Sequence, residues 1–544
     1  MFTRRKLIKA GLLSLPAFHY AASAGAARSS PPNSNGSGSP PTPPFVAELP
    51  IPPVAQPVTT PLSPAPDINP VAREAPRAPH QHWQEFLPKK FYEIHEREAY
   101  HSFHPNLPPS KIWGFDGIFP GPTFHARYGE PIVVRFRNEL PPNHVGFGIP
   151  ETTTHLHGGH IASESDGFPA DFYASGLFKD NHYPNFFAGG DPREAQGTLH
   201  YHDHRQDFTT QNVYKGLNGF YLLFDALDSG DETDPNPQAF RLPSGDFDIS
   251  LDFADKRFTP NGELFLNPFD LEGFLGDKFT VNGAIQPFLK VARRKYRFRL
   301  LNAGPSRFYE FFLMTGTGQS VPFTYYIAND GNLLPAPLPN RGSVRLSVAE
   351  RADVIIDFSP YRIGDQIFVV NRLAQEDGTG PSGGLLNPGT PILRFDVDHD
   401  AADPSQVPSS LRPLPPIDLS QVVKTRRWIF GDDNGGWTIN EKFFNVNEVR
   451  AAPRQGTAEI WVLQNDGDWG HPIHIHLVTF RILSRNGRPP APHEAGRKDV
   501  VELRPDDNVK VFMRFQDFMG RYPAHCHNLV HEDHAMMFRW DVVP

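Results

Sequence analysis

The sequence contains very little sulfur. Among 544 residues there are 6 methionines and a single cysteine, Cys526. One cysteine excludes an internal disulfide, so the thiol needs another purpose. It stands in His525-Cys526-His527, with His531 and Met536 close behind. A thiolate, imidazoles and a weak thioether are the ligands of a mononuclear blue-copper electron-transfer centre.

Strong net charge and long apolar runs are also missing. The formal net charge is −9 at pH 7, with both signs mixed along the chain. This gives no reason to expect nucleic acid or an anionic membrane as a partner. No run of the sequence approaches the roughly 20 apolar residues of a membrane-spanning helix. The 58 prolines and 45 glycines disfavour a mainly helical protein and favour short strands joined by turns.

The first residues carry the features of an export signal. Arg4-Arg5 precedes an apolar run from Ala10 to Ala22, and small residues follow it. This predicts a twin-arginine signal peptide over residues 1–28; the alternative is a chance arginine pair in an ordinary signal peptide. Because signals of this type export folded proteins, often with a cofactor inside, we expect a periplasmic or secreted protein.

Composition divides the remaining chain into a leader and three domains. Residues 29–79 are rich in Pro, Ser, Gly and Ala, which predicts a disordered or extended leader. From there on, short β-type runs alternate with turn clusters, so we expect all-β sandwiches or barrels in series. Two stretches poor in aromatic residues place the domains at residues 80–228, 238–398 and 418–544.

A short sequence echo suggests that the three domains are copies of one another. Gly129–Asn138 is similar to Gly456–Asn465, and a His-x-His pair follows each segment within twenty residues. The middle domain has a related segment, Tyr296–Asn302, but no His-x-His pair after it. We therefore expect metal ligands in the outer two domains only.

Four His-x-His pairs predict a cluster of several metal ions. Alternate side chains of a strand share a face, so both histidines of each pair point the same way. Eight imidazoles are too many for one mononuclear metal, although a single pair of this kind could also hold zinc. Cys526 lies between two of them and points to the opposite face, where we expect His471 and His531 to join it, with Met536 as a long axial ligand. The pairs are His155/His157, His202/His204, His474/His476 and His525/His527.

The order and spacing of these clusters resemble the three-domain multicopper oxidases, which include laccases, bilirubin oxidases, phenoxazinone synthase and cuprous oxidases. The local match is with spore-coat-type laccases, through His155-Leu156-His157-Gly158-Gly159 and His531-Glu532-Asp533-His534-Ala535-Met536. The resemblance covers residues 80–544. It implies three cupredoxin-like Greek-key domains and four copper ions, one of type 1, one of type 2 and two of type 3.

The resemblance also implies a role for each ligand position. His155 and His474 match the type 2 ligands. The type 1 ligands are matched by His471, Cys526 and His531, with Met536 axial. Six positions match the ligands of the type 3 pair, namely His157, His202, His204, His476, His525 and His527. Asp166 and Glu532 match acidic positions of spore-coat laccases and are candidates for supplying protons to O2.

The implied activity is one-electron oxidation of small phenols or aromatic amines, coupled to four-electron reduction of O2 to water. A specialisation for bilirubin or o-aminophenols stays open, and a cuprous-ion oxidase is disfavoured because the few methionines form no cluster before the final motif. A non-catalytic copper-binding protein would need fewer ligands, and a nitrite reductase would lack the paired histidines. His160, His200 and His534 match no ligand role, and the sequence predicts no oligomeric state.

Overall fold

The computed structural model describes residues 38–62, 71–76, 78–433 and 435–544. The predicted signal peptide, residues 1–28, lies outside the described residues. Strands dominate the described part of the chain, and they form three successive pairs of sheets. The predicted all-β fold class is therefore confirmed.

The first pair of sheets is built from residues 90–224. Its strands are β1 (Lys90–His101), β2 (Ser110–Phe115), β3 (Gly121–Arg127), β4 (Ile132–Asn138), β5 (Glu151–Thr152), β6 (Thr154–His157), β7 (Tyr173–Ala174), β8 (Phe178–Tyr183), β9 (Thr198–Asp203) and β10 (Asn218–Phe224). One sheet has the order β2-β1-β4-β8 and the other β3-β10-β9-β6, with β5-β7 as a separate pair. Alternate residues such as Val134, Phe136 and Tyr201 fill the core between the two sheets.

The second pair of sheets uses residues 248–399. Its strands are β11 (Asp248–Lys256), β12 (Lys278–Val281), β13 (Ala284–Ile285), β14 (Phe288–Ala292), β15 (Lys295–Asn302), β16 (Tyr309–Thr315), β17 (Ser320–Val321), β18 (Phe323–Asn329), β19 (Asn332–Arg341), β20 (Val344–Leu346), β21 (Arg351–Asp357), β22 (Gln366–Leu373) and β23 (Leu385–His399). The orders are β13-β12-β11-β15-β21-β18-β19 and β14-β23-β22-β16-β17, with β20 on β16. Phe298, Phe311 and Phe395 are completely buried between them.

The third pair of sheets uses residues 422–542. Its strands are β24 (Val422–Asp433), β25 (Gly436–Ile439), β26 (Val449–Ala451), β27 (Ala458–Asp466), β28 (His471–Ile475), β29 (Phe480–Arg485), β30 (Arg497–Lys498), β31 (Val500–Leu503), β32 (Asn508–Arg514), β33 (Gly520–Cys526) and β34 (Met537–Val542). The orders are β25-β24-β27-β32-β29-β30 and β26-β34-β33-β28-β31. Trp461 and Trp540 anchor the core between these sheets.

The three similar sequence segments form an equivalent strand in each domain. β4, β15 and β27 each pair in parallel with the first strand of their domain and antiparallel with a later strand. Each of the three ends in or near a buried asparagine whose Nδ2 donates to two backbone carbonyls. Asn138 donates to Pro150 and Tyr173, Asn302 to Arg307 and Leu346, and Asn465 to Trp469 and Arg504. The same strand end is thus fixed in the same way three times.

Helices are short in the described chain. The α-helices are α1 (Thr209–Lys215) and α2 (Leu529–Asp533), and the 3-10 turns are Ser163–Ser165, Ala188–Gly190, Pro192–Glu194, Gly245–Phe247, Leu419–Gln421 and Pro492–Glu494. Within the described ranges, none of these helices has the length and apolar character needed to cross a membrane. The Asn528 side chain caps α2 by accepting from the Val530 N–H, which fixes the turn that carries His531.

The leader predicted over residues 29–79 is extended rather than disordered at residues 38–62, where it packs against two of the domains. Leu49 is buried in the core of the second domain, where it bonds to β14, and Ala55 is buried in the first domain, where its N–H donates to Thr123. An extended proline-rich chain needs no internal hydrogen bonds, so it can lie along strand edges that supply the partners. Composition alone did not reveal these partners because they lie far away in sequence.

Candidate metal centre

The eight predicted cluster histidines come together where the first and third domains meet. β6 and β9 pair antiparallel, which sets His155 opposite His202, and β28 and β33 pair likewise, which sets His474 opposite His525. The second histidine of each pair lies two residues further along the chain. All eight side chains belong to residues no more than 3% exposed. Two strand pairs from separate domains therefore build one buried cluster.

The ring nitrogens form distinct groups at ligand spacing. The Nε2 atoms of His204, His476 and His525 lie 3.2–3.3 Å from one another. His157, His202 and His527 form a second group, which also includes His200. The Nε2 atoms of His155 and His474 face each other at 3.4 Å. These groups correspond to the ligand sets that the family resemblance implies for two type 3 ions and one type 2 ion.

Hydrogen bonds on the outer side of the rings favour metal binding on the inner side. Nδ1 of His474 lies 2.9 Å from the Asp499 carbonyl, and Nδ1 of His202 lies 2.8 Å from the Asp203 carbonyl. A carbonyl can only accept, so each Nδ1 carries the proton and Nε2 keeps its lone pair. His157 is turned the other way, since its Nε2 contacts Asp499 Oδ1 at 3.1 Å and its buried Nδ1 has no partner.

Burial favours the neutral form of several of these imidazoles. It holds the pKa values of His157, His204, His474, His476 and His527 well below the ordinary range, and the neighbouring histidines lower them further. Lone pairs that converge at about 3 Å repel one another unless a cation lies between them. The nitrogen-only donor set, with unpartnered nitrogens facing inward, therefore fits copper or another metal that prefers imidazole.

A separate sulfur-containing site lies on the other side of β33. Cys526 Sγ is 3.6 Å from Nδ1 of His471 and 3.6 Å from Nδ1 of His531, and these two nitrogens are 3.2 Å apart. Cys526 is completely buried, which raises the pKa of its thiol well above the ordinary value in the absence of a metal cation. Met536 is also buried, and its carbonyl accepts from the Cys526 N–H. A thiol and two imidazoles at this spacing fit a type 1 copper.

The two predicted carboxylates lie beside the cluster rather than at its centre. Asp166 Oδ2 accepts from Nδ1 of His476 at 2.7 Å, and the Asp166 carbonyl lies 2.6 Å from Nδ1 of His155. Glu532 lies within 3.2 Å of Nδ1 of His204 and 3.0 Å of Nδ1 of His525. Both residues are buried, so each carboxylate orients cluster rings in a site shielded from bulk water.

Sequence reasoning missed an acidic residue that contacts the cluster from the third domain. Asp499 bonds to His157 through Oδ1, while Arg351 of the second domain binds both of its carboxylate oxygens at 2.6 Å. Burial raises the pKa of Asp499 to about 6, and the Arg351 guanidinium opposes that shift. No local motif marks either residue, because their partners lie more than 140 positions away.

Trp437 is a second feature that the sequence did not reveal. Its ring lies 3.9 Å from the His531 ring, and its Nε1 donates to the Leu271 carbonyl at 2.7 Å. His531 itself is completely buried, and its Nε2 lies 3.1 Å from the Glu272 carbonyl. The segment around residue 272 therefore covers the Nε2 edge of His531.

The three histidines without a predicted role have different surroundings. His160 contacts Asp517 and the Leu477 carbonyl, and Nδ1 of His534 contacts the Val530 carbonyl at 2.7 Å. Both therefore act in hydrogen bonds outside the ligand groups. His200 differs, because it lies within the group that contains His157, His202 and His527.

Comparison with known proteins agrees with this arrangement. Models described as multicopper oxidase match residues 99–227 and 415–544. A bilirubin oxidase of Albifimbria verrucaria is 37% identical over 522 residues, covering 93% of this chain and 83% of that protein. A laccase of Bacillus subtilis is 33% identical over 520 residues, covering 84% of this chain and 95% of that protein.

Solved structures have a similar fold. The McoA multicopper oxidase of the hyperthermophile Aquifex aeolicus aligns with a TM-score of 0.71 at 26% identity, covering 84% of this chain and 97% of that chain. A laccase of Pediococcus acidilactici aligns with a TM-score of 0.74 at 22% identity, covering 92% of this chain and 95% of that chain. At 22% identity, the likeness to the Pediococcus acidilactici laccase concerns the fold alone.

Proposed function

This chain belongs to the multicopper oxidase family, and from that premise we propose that it is a laccase-like oxidase with four copper ions. His471, Cys526 and His531, with Met536, would hold the type 1 ion. His155 and His474 would hold the type 2 ion. The type 3 pair would be held by His157, His202, His204, His476, His525 and His527. When bound, these ions would supply the redox chemistry of one-electron oxidation of an organic substrate and four-electron reduction of O2 to water.

The observation that carries this proposal is the geometry of one strand end. His525, Cys526 and His527 are consecutive, yet Sγ of the middle residue faces one donor group and both histidine rings face the other. Only covalent bonds within this tripeptide separate the two groups. A binding protein without turnover has no need to join a thiolate site to a cluster of imidazoles in this way.

Asp166 and Glu532 would handle the protons that water formation consumes. Each is buried and contacts the outer nitrogen of a cluster histidine. A carboxylate in this position can keep the ring correctly oriented and hold a proton close to the place where oxygen is reduced. The two roles can be tested separately. Loss of ring orientation would lower the copper content, whereas loss of the proton-holding group would lower turnover.

The proposed substrates are small phenols and aromatic amines. The similarity to proteins named laccase and bilirubin oxidase supports this class. A cleft of about 800 Å³ borders Gly470, the neighbour of His471, and it is lined by charged side chains including Arg341, Glu376 and Asp468. Such a cleft suits a polar aromatic compound better than an apolar one. A cuprous-ion oxidase is the second candidate.

The test is copper analysis combined with steady-state kinetics. We expect about four copper ions per wild-type chain, a blue absorbance, and oxidation of dimethoxyphenol. Cys526→Ser should lose the blue absorbance and the activity while it keeps the cluster copper. Bilirubin, an o-aminophenol and Cu(I) complete the substrate panel, and a strong preference for Cu(I) would reject the laccase-like assignment.

We also propose that the twin-arginine segment exports the folded protein to the periplasm or beyond. The supporting observation is the sequence of residues 1–28 with its arginine pair. Replacing Arg4 and Arg5 together by lysine should leave the protein in the cytoplasm, as measured by cell fractionation. Normal export of that variant would reject the route.

A further inference from the structure

His200 is the ninth histidine of the buried cluster. It lies on β9 two residues before His202, so strand periodicity puts both side chains on the same face. The intervening Tyr201 and the preceding Leu199 point the other way, into the core of the first domain. His200 is 3% exposed. Its ring therefore occupies space beside the cluster rather than space in the apolar core.

The nitrogen atoms of this group are close enough to share a metal ion. One ring nitrogen of each of His157, His200, His202 and His527 lies within 4.8 Å of the others. Two nitrogens bound to one ion at about 2.0 Å lie at most about 4 Å apart, so a small side-chain adjustment suffices. The centroid of the His200 ring lies 4.5 Å from that of His157 and 5.0 Å from that of His202, and both pairs are stacked. These contacts keep the His200 ring beside both ligands.

His200 also has an unsatisfied nitrogen. Its buried Nδ1 has no hydrogen-bond partner among the described residues. Leaving a buried polar atom without a partner costs about 1–3 kcal/mol, a cost that a hydrocarbon ring of similar size would not incur. A histidine at this position is therefore favoured when a cation supplies the missing partner.

We propose that His200 is an additional metal ligand, which gives the ion held by His157, His202 and His527 a fourth imidazole. This inference rests on the proposed copper cluster and goes beyond the eight-histidine set that the family resemblance implies. A fourth nitrogen suits the tetragonal geometry that Cu(II) prefers. The expected consequence is slower loss of copper from this position.

The test measures copper retention in the full chain. Copper-loaded wild type, His200→Phe and His200→Gln are dialysed against a chelator, and copper per chain is followed by mass spectrometry. The blue absorbance is recorded in the same samples. We expect both variants to lose one cluster ion at least about tenfold faster than wild type, while the blue absorbance stays unchanged. Retained blue absorbance shows that the fold and the Cys526 site are intact.

His160→Phe is the matched control, because His160 lies near the same domain junction but is bonded to Asp517 and Leu477. It should retain copper as wild type does. Copper loss from both His200 variants at the wild-type rate would overturn the proposal, and so would rescue by glutamine alone, which would show a polar role without ligation. A wild-type chain that takes up no copper would instead reject the proposed function itself.

Discussion

At the scale of single residues, Glu532 is notable because its carboxylate lies beside two histidines of the cluster. Its oxygens lie 3.2 Å from Nδ1 of His204 and 3.0 Å from Nδ1 of His525. If it delivers protons, Glu532→Gln should lower turnover about 10²–10⁴-fold without loss of copper. Copper analysis and oxygen-consumption kinetics measure the two effects. The control is Glu164→Gln, at a buried carboxylate bonded to Gln81, which should keep wild-type turnover. A Glu532→Gln variant with normal turnover at all pH values would exclude proton delivery by Glu532.

Glu96 predicts a pH-dependent stability that is independent of copper. It is fully buried, accepts from Thr152 and Tyr173, and burial together with the charge of Asp203 raises its pKa from 4.5 to about 7. Below pH 4.5 the carboxyl is protonated in both folded and unfolded chains, and its contribution is fully present. As pH rises toward 7, the unfolded chain ionises first, so stability falls by roughly 3 kcal/mol.

The uncharged variant Glu96→Gln isolates this effect. Its melting temperature should decline less than that of wild type between pH 5 and pH 8, because the amide does not titrate. Differential scanning calorimetry of both copper-loaded proteins at each pH provides the comparison, and the wild-type-to-variant difference cancels the titration of other groups. Parallel curves for the two proteins would show that Glu96 does not titrate in this range.

At the scale of elements, local sequence was sufficient for the repeated strand and for the ligand faces. The similarity between the three segments identified β4, β15 and β27 as equivalent strands. It exists because each strand has the same pairing and ends near an asparagine that donates to backbone carbonyls. The alternation of a strand was likewise enough to set Cys526 opposite His525. These features depend on neighbours within a few residues, where sequence patterns are informative.

Features that depend on distant partners could not be predicted in this way. The contact of Arg351 with Asp499 joins residues 148 positions apart. In the ordered segment 38–62, Glu48 forms a bridge with Phe288 and Val54 forms one with Thr123, which are also distant in sequence. The position of His200 could not be predicted either, because His527 lies beside it only where two domains meet. Nothing in its local sequence separates a ligand from a buried ring.

The segment that covers His531 predicts a change in substrate preference. Trp437 Nε1 donates to the Leu271 carbonyl and so holds the segment whose Glu272 carbonyl contacts His531. Trp437→Phe keeps an aromatic ring against His531 and removes this bond, which is worth about 1 kcal/mol. We expect KM for bulky phenols to fall about fivefold with the blue absorbance unchanged. Steady-state kinetics with a small and a bulky phenol check this, and equal KM changes for both would contradict it.

At the scale of the whole molecule, the second domain contributes to the cluster although it holds none of the predicted ligands. His157 belongs to the first domain, Asp499 to the third and Arg351 to the second, and the three are joined by hydrogen bonds in one buried chain. Gly158 permits this close approach, because a Cβ there would lie 2.6 Å from Asp499 Oδ2 and 2.7 Å from Arg351 Nη2. All three domains therefore meet at a single ring of the cluster.

This arrangement predicts that Arg351 matters through Asp499. Arg351→Met should destabilise the protein by about 3–5 kcal/mol, because it leaves the Asp499 carboxylate buried without its cation. The melting temperature should fall by several degrees, and copper should be lost faster from the group that contains His157. In the double variant with Asp499→Asn, the buried charge is removed as well, so much of the lost stability should return. Calorimetry and copper retention on both single variants and the double variant complete the cycle. Additive losses would show that the two residues act separately and that the second domain does not reach the cluster through this pair.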